Sequence, residues 1–228
     1  MDYTEFQQRI DVTKELLYRE IYQANRERIQ VKKEATVIRN LARIFDAALK
    51  IGNQHGFQAM SMRDFSKETG LSMGALYAYF ASKDELLDMI LRQGRRLVLR
   101  ILEEQLDAVG DPVEKLETAI RTHLFLSEAL QPWFYLSFME AKNMSPREKE
   151  KTVAGELYTD QLFADILEEG QKAGLFALRD LQNSAAGIKA LLQDWYVKRW
   201  KYARRQTKVD QYADFVVEFV MAYHLKEI

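Results

Sequence analysis

Residues 61–80, SMRDFSKETGLSMGALYAYF, hold two short apolar-periodic stretches separated by a glycine, and each stretch starts on a serine. Ser61 stands three residues ahead of Asp64, and Ser72 opens the second stretch. A serine in that place accepts hydrogen bonds from the open amides of a first helical turn. Gly70 stands where a left-handed residue ends a helix. Met62 and Phe65 fall on one side of the first helix, while Arg63 and Lys67, four apart, project from another. Leu71 closes the turn, and Leu76 and Phe80 point inward. Two helices this short cannot stand alone. The preceding stripe of Leu41, Ile44, Phe45, Ala48, Ile51 and Phe57 has helical spacing and completes a three-helix core. The arrangement is a helix-turn-helix.

The second helix of such a unit enters the DNA major groove by its N-terminal end. Ser72, Gly74 and Ala75 are small enough for close approach, and Met73 and Tyr77 offer apolar contact to thymine methyls. Tyrosine hydroxyls reach phosphate. Lys83, in the first turn of the next helix, opposes the helix dipole and makes more sense as a phosphate contact. Tyr79 has two readings, phosphate contact or packing on the long helix behind it. Arg63 likewise reads as a DNA contact or as an ordinary surface charge.

From Arg39 to Leu91 the sequence resembles the DNA-binding domain of the TetR family of bacterial transcriptional regulators. The resemblance is carried, in order and in register, by Ala47-Ala48, Gly56-Phe57, Ser61-Met62-Arg63, Gly70-Leu71-Ser72, Gly74-Ala75-Leu76-Tyr77, Phe80, Ser82-Lys83 and Leu86-Leu87. It implies a double-stranded DNA operator as partner, contacted through Ser61, Arg63, Ser72, Ala75, Tyr77, Tyr79 and Lys83. The family pattern usually ends its recognition helix on Tyr-aromatic-His-Phe, whereas this chain has Tyr77-Ala78-Tyr79-Phe80. Ala78 thus lacks an aromatic that often touches the DNA backbone, and Tyr79 stands where the histidine would be.

Charge follows the same division. The net charge of −1 conceals 12 Lys/Arg against 7 Asp/Glu from Lys32 to Arg100, and 16 against 21 from Ile101 to Ile228. A basic stretch within a near-neutral chain fits a polyanion-facing module joined to one that is not. No cysteine is present, so disulfide and thiolate chemistry are excluded. His55, His123 and His224 are widely spaced and lack ligand-type partners, so neither a metal site nor a catalytic triad is visible. An enzyme is not expected, nor is a cofactor. No run of about 18 apolar residues exists, and the polar N-terminus resembles no signal peptide, so a cytoplasmic protein without membrane contact is expected.

The 228 residues, 47% hydrophobic, suffice for a sizeable core. Periodicity predicts an all-α chain, with helices at roughly 3–31, 36–54, 61–68, 72–78, 82–108, 112–129, 131–143, 146–173, 182–205 and 208–225. Three regions are expected: an N-terminal helical extension over 1–35, the helix-turn-helix domain over 36–91, and a helical effector-binding and dimerisation domain over 92–228. Tyr3, Phe6, Ile10, Leu17, Ile21, Ala24 and Val31 give the extension an apolar stripe, which reads as a brace on the motif or on a partner subunit. Lys32 and Lys33, at its basic end, read as DNA contacts.

Beyond Gly110 the resemblance implies only a ligand-binding and dimerisation domain. The last two helices carry broad apolar faces, Ile188, Leu191, Leu192 and Trp195 on one and Tyr212, Phe215, Val216, Phe219, Val220 and Tyr223 on the other. Two such helices per subunit form a four-helix interface in a homodimer. The dimer presents recognition helices about 34–36 Å apart, or a modest multiple, and reads a palindrome-like operator. His123, Tyr135, Glu140, Tyr158 and Trp195 are polar handles beside apolar faces, as in a small-molecule pocket, although each also reads as a satisfied core or surface group. In "QDWYVKRWKYARR", Arg199 and its basic neighbours beside Trp195 and Trp200 read either as a cradle for an anionic, aromatic group or as a solvated basic helix end. Some TetR-type regulators of fatty-acid, steroid and aromatic-acid breakdown look similar there, which points to a small hydrophobic effector such as a CoA thioester. The resulting expectation is a repressor released from its operator by that effector. The alternative is a TetR-fold DNA-binding protein with no small effector, acting in chromosome organisation or partner recruitment.

Overall fold

The computed structural model describes residues 1–10, 14–141 and 146–226, and the chain is all-α there, with no strand beyond one isolated bridge between Phe176 and Leu225. In chain order the helices are α1 (Tyr3–Arg9), α2 (Lys14–Ala24), α3 (Glu34–His55), α4 (Met62–Thr69), α5 (Met73–Tyr77), α6 (Lys83–Asp107), α7 (Pro112–Ala129), α8 (Gln131–Glu140), α9 (Pro146–Lys172), α10 (Leu181–Val197), α11 (Arg199–Arg204) and α12 (Val209–His224). They form two compact units, one of residues 11–95 with 135–149, the other of residues 1–10, 96–134 and 150–228.

The first of these units is built on α3. Val37, Leu41, Ile44, Phe45 and Ala48 recur at helical spacing and are buried, and Phe57, Phe65, Leu76 and Phe80 are buried with them. α2 lies on α3, with Tyr18 edge-on to Phe45 at 5.7 Å and Ile21 fully buried. The C-terminal half of α8 belongs here too. Leu136 approaches Gly52 so closely that a Cβ at that glycine would lie 2.7 Å from Leu136 Cδ1. Glu140 is buried and accepts from the Phe57 amide at 2.9 Å, which satisfies a backbone donor left open beyond the end of α3.

The other unit packs α7 against α10 and α12. Leu116, Ala119, Ile120, Leu124 and Phe125 on α7 are buried, as are Ile188, Leu192 and Trp195 on α10 and Ala213, Val216 and Val220 on α12. α1 completes it. Tyr3 and Phe6 pack on Phe125 at 5.5 and 5.4 Å, and the Tyr3 amide donates to Asp210 at 2.8 Å.

Two expectations fail here. The extension is not one helix over 3–31, because α1 ends at Arg9 with Ile10 in a non-helical conformation and α2 stops at Ala24. Its stripe therefore serves two cores, Tyr3 and Phe6 in one unit and Tyr18 and Ile21 in the other. The helix expected over 182–205 breaks at Lys198. Around the break Lys198 reaches Asp194 at 2.8 Å, and Lys201 and Tyr202 from α11 bond the same carboxylate. The break turns Tyr202 onto Trp195 and Tyr212, at 4.8 and 4.6 Å. Burial opposes ionisation of Asp194, but those three hydrogen bonds outweigh it and hold its carboxyl at about 2.

Gly170, inside α9, faces the buried ring of Phe176, and a Cβ there would lie 2.1 Å from Phe176 Cδ2. Alanine gains about 1 kcal/mol of helix propensity over glycine. Overpacking a filled core costs about 1–3 kcal/mol. Gly170→Ala is therefore expected to lower the urea midpoint rather than raise it.

Candidate nucleic-acid interface

The helix-turn-helix is held by caps and a tied turn. Ser61 Oγ accepts from the Asp64 amide at 3.1 Å and Ser72 Oγ from the Ala75 amide at 3.2 Å, so each serine starts its helix. Between them Gly70 has φ of +63°, a backbone conformation that favours glycine, with the Arg43 guanidinium lying close by. Ser66 Oγ donates to the Leu71 carbonyl at 2.6 Å and Thr69 Oγ1 to the Phe65 carbonyl at 2.9 Å. With the turn fixed, Phe65, Leu76 and Phe80 go inward, the Phe65 and Phe80 rings 6.1 Å apart. Left outside are Ser61, Arg63, Ser72, Met73, Gly74 and Tyr77, with Ala75 half-buried and Tyr77 45% exposed. At Gly74 no heavy atom lies within 4 Å of where a Cβ would be. A short helix with an uncovered methionine, an uncovered tyrosine and open space between them can approach base edges closely.

Two residues expected at DNA are engaged elsewhere. Tyr79 is 1% exposed, and its hydroxyl accepts from Asn40 Nδ2 on α3 at 2.8 Å. Of its two readings, packing on the long helix is the correct one. Lys83 Nζ donates to the carbonyls of Gln58 and Met60, at 2.7 and 2.9 Å. Those bonds tie the start of α6 to the loop before α4 and account for a cation in an unfavourable first turn without any phosphate. The buried Asn40 was the signal for Tyr79: a polar residue on the apolar stripe of α3 needs a polar partner. Lys32 and Lys33 are exposed in the non-helical run before α3.

The residues expected to line a ligand site are not brought together. His123 is fully enclosed on α7 against Phe134, ring centroids 5.6 Å apart, and its Nδ1 has no hydrogen-bond partner among the described residues. Burial, and then the positive charge of Lys189, hold it well below the usual imidazole range. Lys189 is itself buried and pairs with Glu156 at 3.2 Å. Trp195 is buried and its Nε1 donates to Glu128 at 3.1 Å, while Arg199 grips the same carboxylate at 2.9 and 3.0 Å and stacks over the Trp195 ring. Arg199 is thus engaged within the protein, and Lys198 and Lys201 are engaged by Asp194. The cradle reading of "QDWYVKRWKYARR" is corrected accordingly for these three cations. Tyr158 lies outside, on a groove of about 450 Å³ lined also by Leu106, Lys115, Leu162 and Glu169, and its hydroxyl donates to Glu103. Tyr135 and Glu140 fall in the unit that holds the helix-turn-helix, Glu140 committed to Phe57.

Comparison with known proteins settles the family. The model of bacterial regulatory proteins of the tetR family matches residues 44–90, and that of the tetracyclin repressor-like C-terminal domain matches residues 109–223. The chain belongs to the TetR family. Among the relatives of this TetR protein, the transcriptional repressor KstR2 of Rhodococcus jostii (strain RHA1) is 26% identical over 195 residues, covering 79% of this chain and 91% of its own. The structure of the TetR regulator PfmR from Thermus thermophilus is 26% identical with a TM-score of 0.72, covering 79% of this chain and 98% of its own. AibR, solved in complex with isovaleryl coenzyme A and operator DNA, shares the fold at 20% identity and a TM-score of 0.70, covering 79% of this chain and 97% of its own. Relatives of the TetR chain are transcriptional regulators. Among its described residues no helix is long and apolar enough to cross a membrane, and no cluster of three His, Asp or Glu side chains is placed to hold a metal.

Two outcomes test these placements. Tyr79→Phe leaves the buried Asn40 amide without its partner and is expected to cost about 1–3 kcal/mol of stability in urea titrations, while DNA affinity per folded molecule stays within about twofold. Because the folded-state value of His123 is lowered, its contribution is complete above the ordinary imidazole range and lost as pH falls through about 6.5 toward 5. His123→Phe is expected to flatten that part of the urea-midpoint profile. The residual slope is assigned to His224, which burial also lowers.

Proposed function

We propose that the chain is a dimeric transcriptional repressor, working in the cytoplasm, that reads a palindromic operator and releases it when a small hydrophobic effector binds. The observation that carries the reading is the uncovered face of α4 and α5: Ser61, Arg63, Ser72, Met73, Gly74, Ala75 and Tyr77, set on capped helices whose apolar sides are committed to the core. Arg63 serves phosphate, and Met73 and Tyr77 meet base edges. Tyr79 and Lys83 hold this face in position from behind. The region over 36–91 is the reading domain in this account, and 92–228 supplies effector binding and dimerisation.

Dimerisation is supported by α12. Tyr212, Val216 and Val220 face inward, while Phe215 and Phe219, four apart, are 53% and 55% exposed, with Tyr223 next in the same row. Beside them lies a groove of about 360 Å³ lined by Gly187, Leu191, Phe219, Tyr223 and His224. A row of exposed rings on a terminal helix beside a small-residue groove on α10 fits a second copy packed as a four-helix interface. A two-fold interface repeats the recognition helix at a spacing that DNA can match.

Effector release is supported by polar groups inside the helical unit. His123 has an unpartnered Nδ1 in apolar surroundings, and buried Lys189 stands near enough to lower its proton affinity. An acidic or carbonyl end brought to this point would meet His123 Nδ1 and compete with Glu156 for Lys189. The acyl-CoA bound by AibR supports a thioester as the first class to try. For release, the effector must bind the DNA-free arrangement better by a few kcal/mol.

One experiment covers both halves. A duplex is enriched from a randomised pool by the full-length protein, and its affinity is measured at fixed salt with isovaleryl-CoA titrated in. Wild type is expected to bind tightly and to be released, and Tyr77→Ala to bind at least about tenfold more weakly. Equal affinity for Tyr77→Ala rejects the α5 face. Unchanged affinity across the isovaleryl-CoA titration rejects this thioester as effector.

A further inference from the structure

We propose that residues 29–33, the run that leads into α3, form a second DNA-contacting element docked on the end of the recognition helix, with Lys32 and Lys33 holding phosphates that flank the site. This rests on α5 reading DNA, and it assigns the N-terminal extension a part in that interaction.

The run is anchored where α5 ends. The Gln30 amide donates to the carbonyl of Ala78, the C-cap of α5, at 2.9 Å. On one side of that bond Ile29 is buried, and Arg28 forms an ion pair with Glu85 on α6, whose carboxylate also accepts from the Ala81 amide at 2.6 Å. On the other side the chain enters α3 at Glu34. The run is thus held at both ends and has no helix of its own. Two residues of extended chain span at most about 7 Å, so Lys32 cannot lie farther than that, Cα to Cα, from the residue bonded to Ala78. Both lysines are exposed.

The placement of Lys33 does not help start α3. Lys33 occupies the N-cap of α3 and makes no side-chain capping bond, and a cation at that end is opposed by the helix dipole. Nearby charge is mixed, since Arg28 is paired with Glu85, Glu27 stands beside Arg26, and Glu34 lies 3.6 Å from Arg19, so the excess positive charge of the run is that of the two lysines. A polyanion alongside reverses the sign of this arrangement. Each phosphate neutralised by a lysine releases counterions, which is where backbone affinity comes from.

Ala78 gives the docking its specificity to this chain. Position 78 is where the family resemblance leads one to expect an aromatic that touches the DNA backbone, and here it is a methyl group beside a carbonyl already bonded to the extension. The backbone contact is moved from a ring on the recognition helix to two cations on a strap laid across its end. The result is a wider footprint without any change in the bases read.

The test uses the full-length protein and a duplex of about 30 base pairs enriched by it from a randomised pool, long enough for two half-sites and their flanks. Affinity is measured across a salt series for wild type, Lys32→Ala/Lys33→Ala, Gln30→Pro and Tyr77→Ala. For the lysine pair the slope of log affinity against log salt is expected to flatten by roughly 0.9 for each phosphate no longer neutralised, and affinity near 0.1 M salt to fall about tenfold or more, with base preference unchanged. Gln30→Pro removes the amide that bonds Ala78 and is expected to flatten the slope in the same direction while both lysines remain. Trimming the flanks from the duplex should abolish the difference between wild type and the lysine variant. An unaltered slope in the lysine variant, with Tyr77→Ala still weakening binding, overturns the strap and leaves the α5 reading standing. Failure to enrich any duplex, or full binding by Tyr77→Ala, overturns the DNA reading itself.

Discussion

Helices of eight and five residues cannot bury enough apolar surface to persist alone, and the unit that would touch DNA is organised around that shortfall. α4 and α5 contribute Phe65, Leu76 and Thr69 inward and their own capping and turn bonds, and the rest of what holds them comes from other segments. α3 offers an apolar face 22 residues long, with one buried asparagine placed for the Tyr79 hydroxyl. Lys83 reaches back from α6 to the carbonyls before α4. Because these supports are all behind the two helices, the front is left to small residues, a methionine and a tyrosine. The exposed face is what remains once the demands of folding have been met.

Much of this is legible in the amino-acid order because the relevant signals are local. Ser61, Ser72 and Asp111 cap helices through bonds to amides two or three residues away, and Gly70 turns the chain through its own backbone, so their roles can be read without knowing the fold. The inward positions of Leu76 and Phe80 follow from period alone. What could not be read was decided across long sequence separations. Tyr79 depends on Asn40, Lys83 on Gln58 and Met60, Arg199 on Glu128 and Glu140 on the Phe57 amide. A charged or hydroxylated residue looks available until its distant partner is found. The extension misled differently: its stripe has one period, yet the two ends of the stripe fill different cores.

The helical unit handles its charges in the same economical way. Asp194 gathers Lys198, Lys201 and Tyr202, and Glu128 gathers Trp195 and Arg199, so one basic segment is anchored to two carboxylates. Breaking the helix at Lys198 makes the first cluster possible and stacks Trp195, Tyr202 and Tyr212 into one aromatic block. His123 Nδ1 stands apart from these clusters: with the adjacent Thr122 Oγ1 and with His224 Nδ1 it is among the buried polar atoms that have no hydrogen-bond partner among the described residues.

Glu140 carries a separate lesson about modularity. The carboxylate that closes the open amide beyond α3, and the leucine four residues before it that seats against Gly52, both arrive from a stretch far downstream of the helix-turn-helix. The reading head is therefore discontinuous in the chain. Cut out as one continuous fragment, it would be missing a wall and a hydrogen-bond acceptor, and grafted onto another body it would need the second half of α8 to travel with it. What looks in the sequence like a portable cassette is a structure closed by its host.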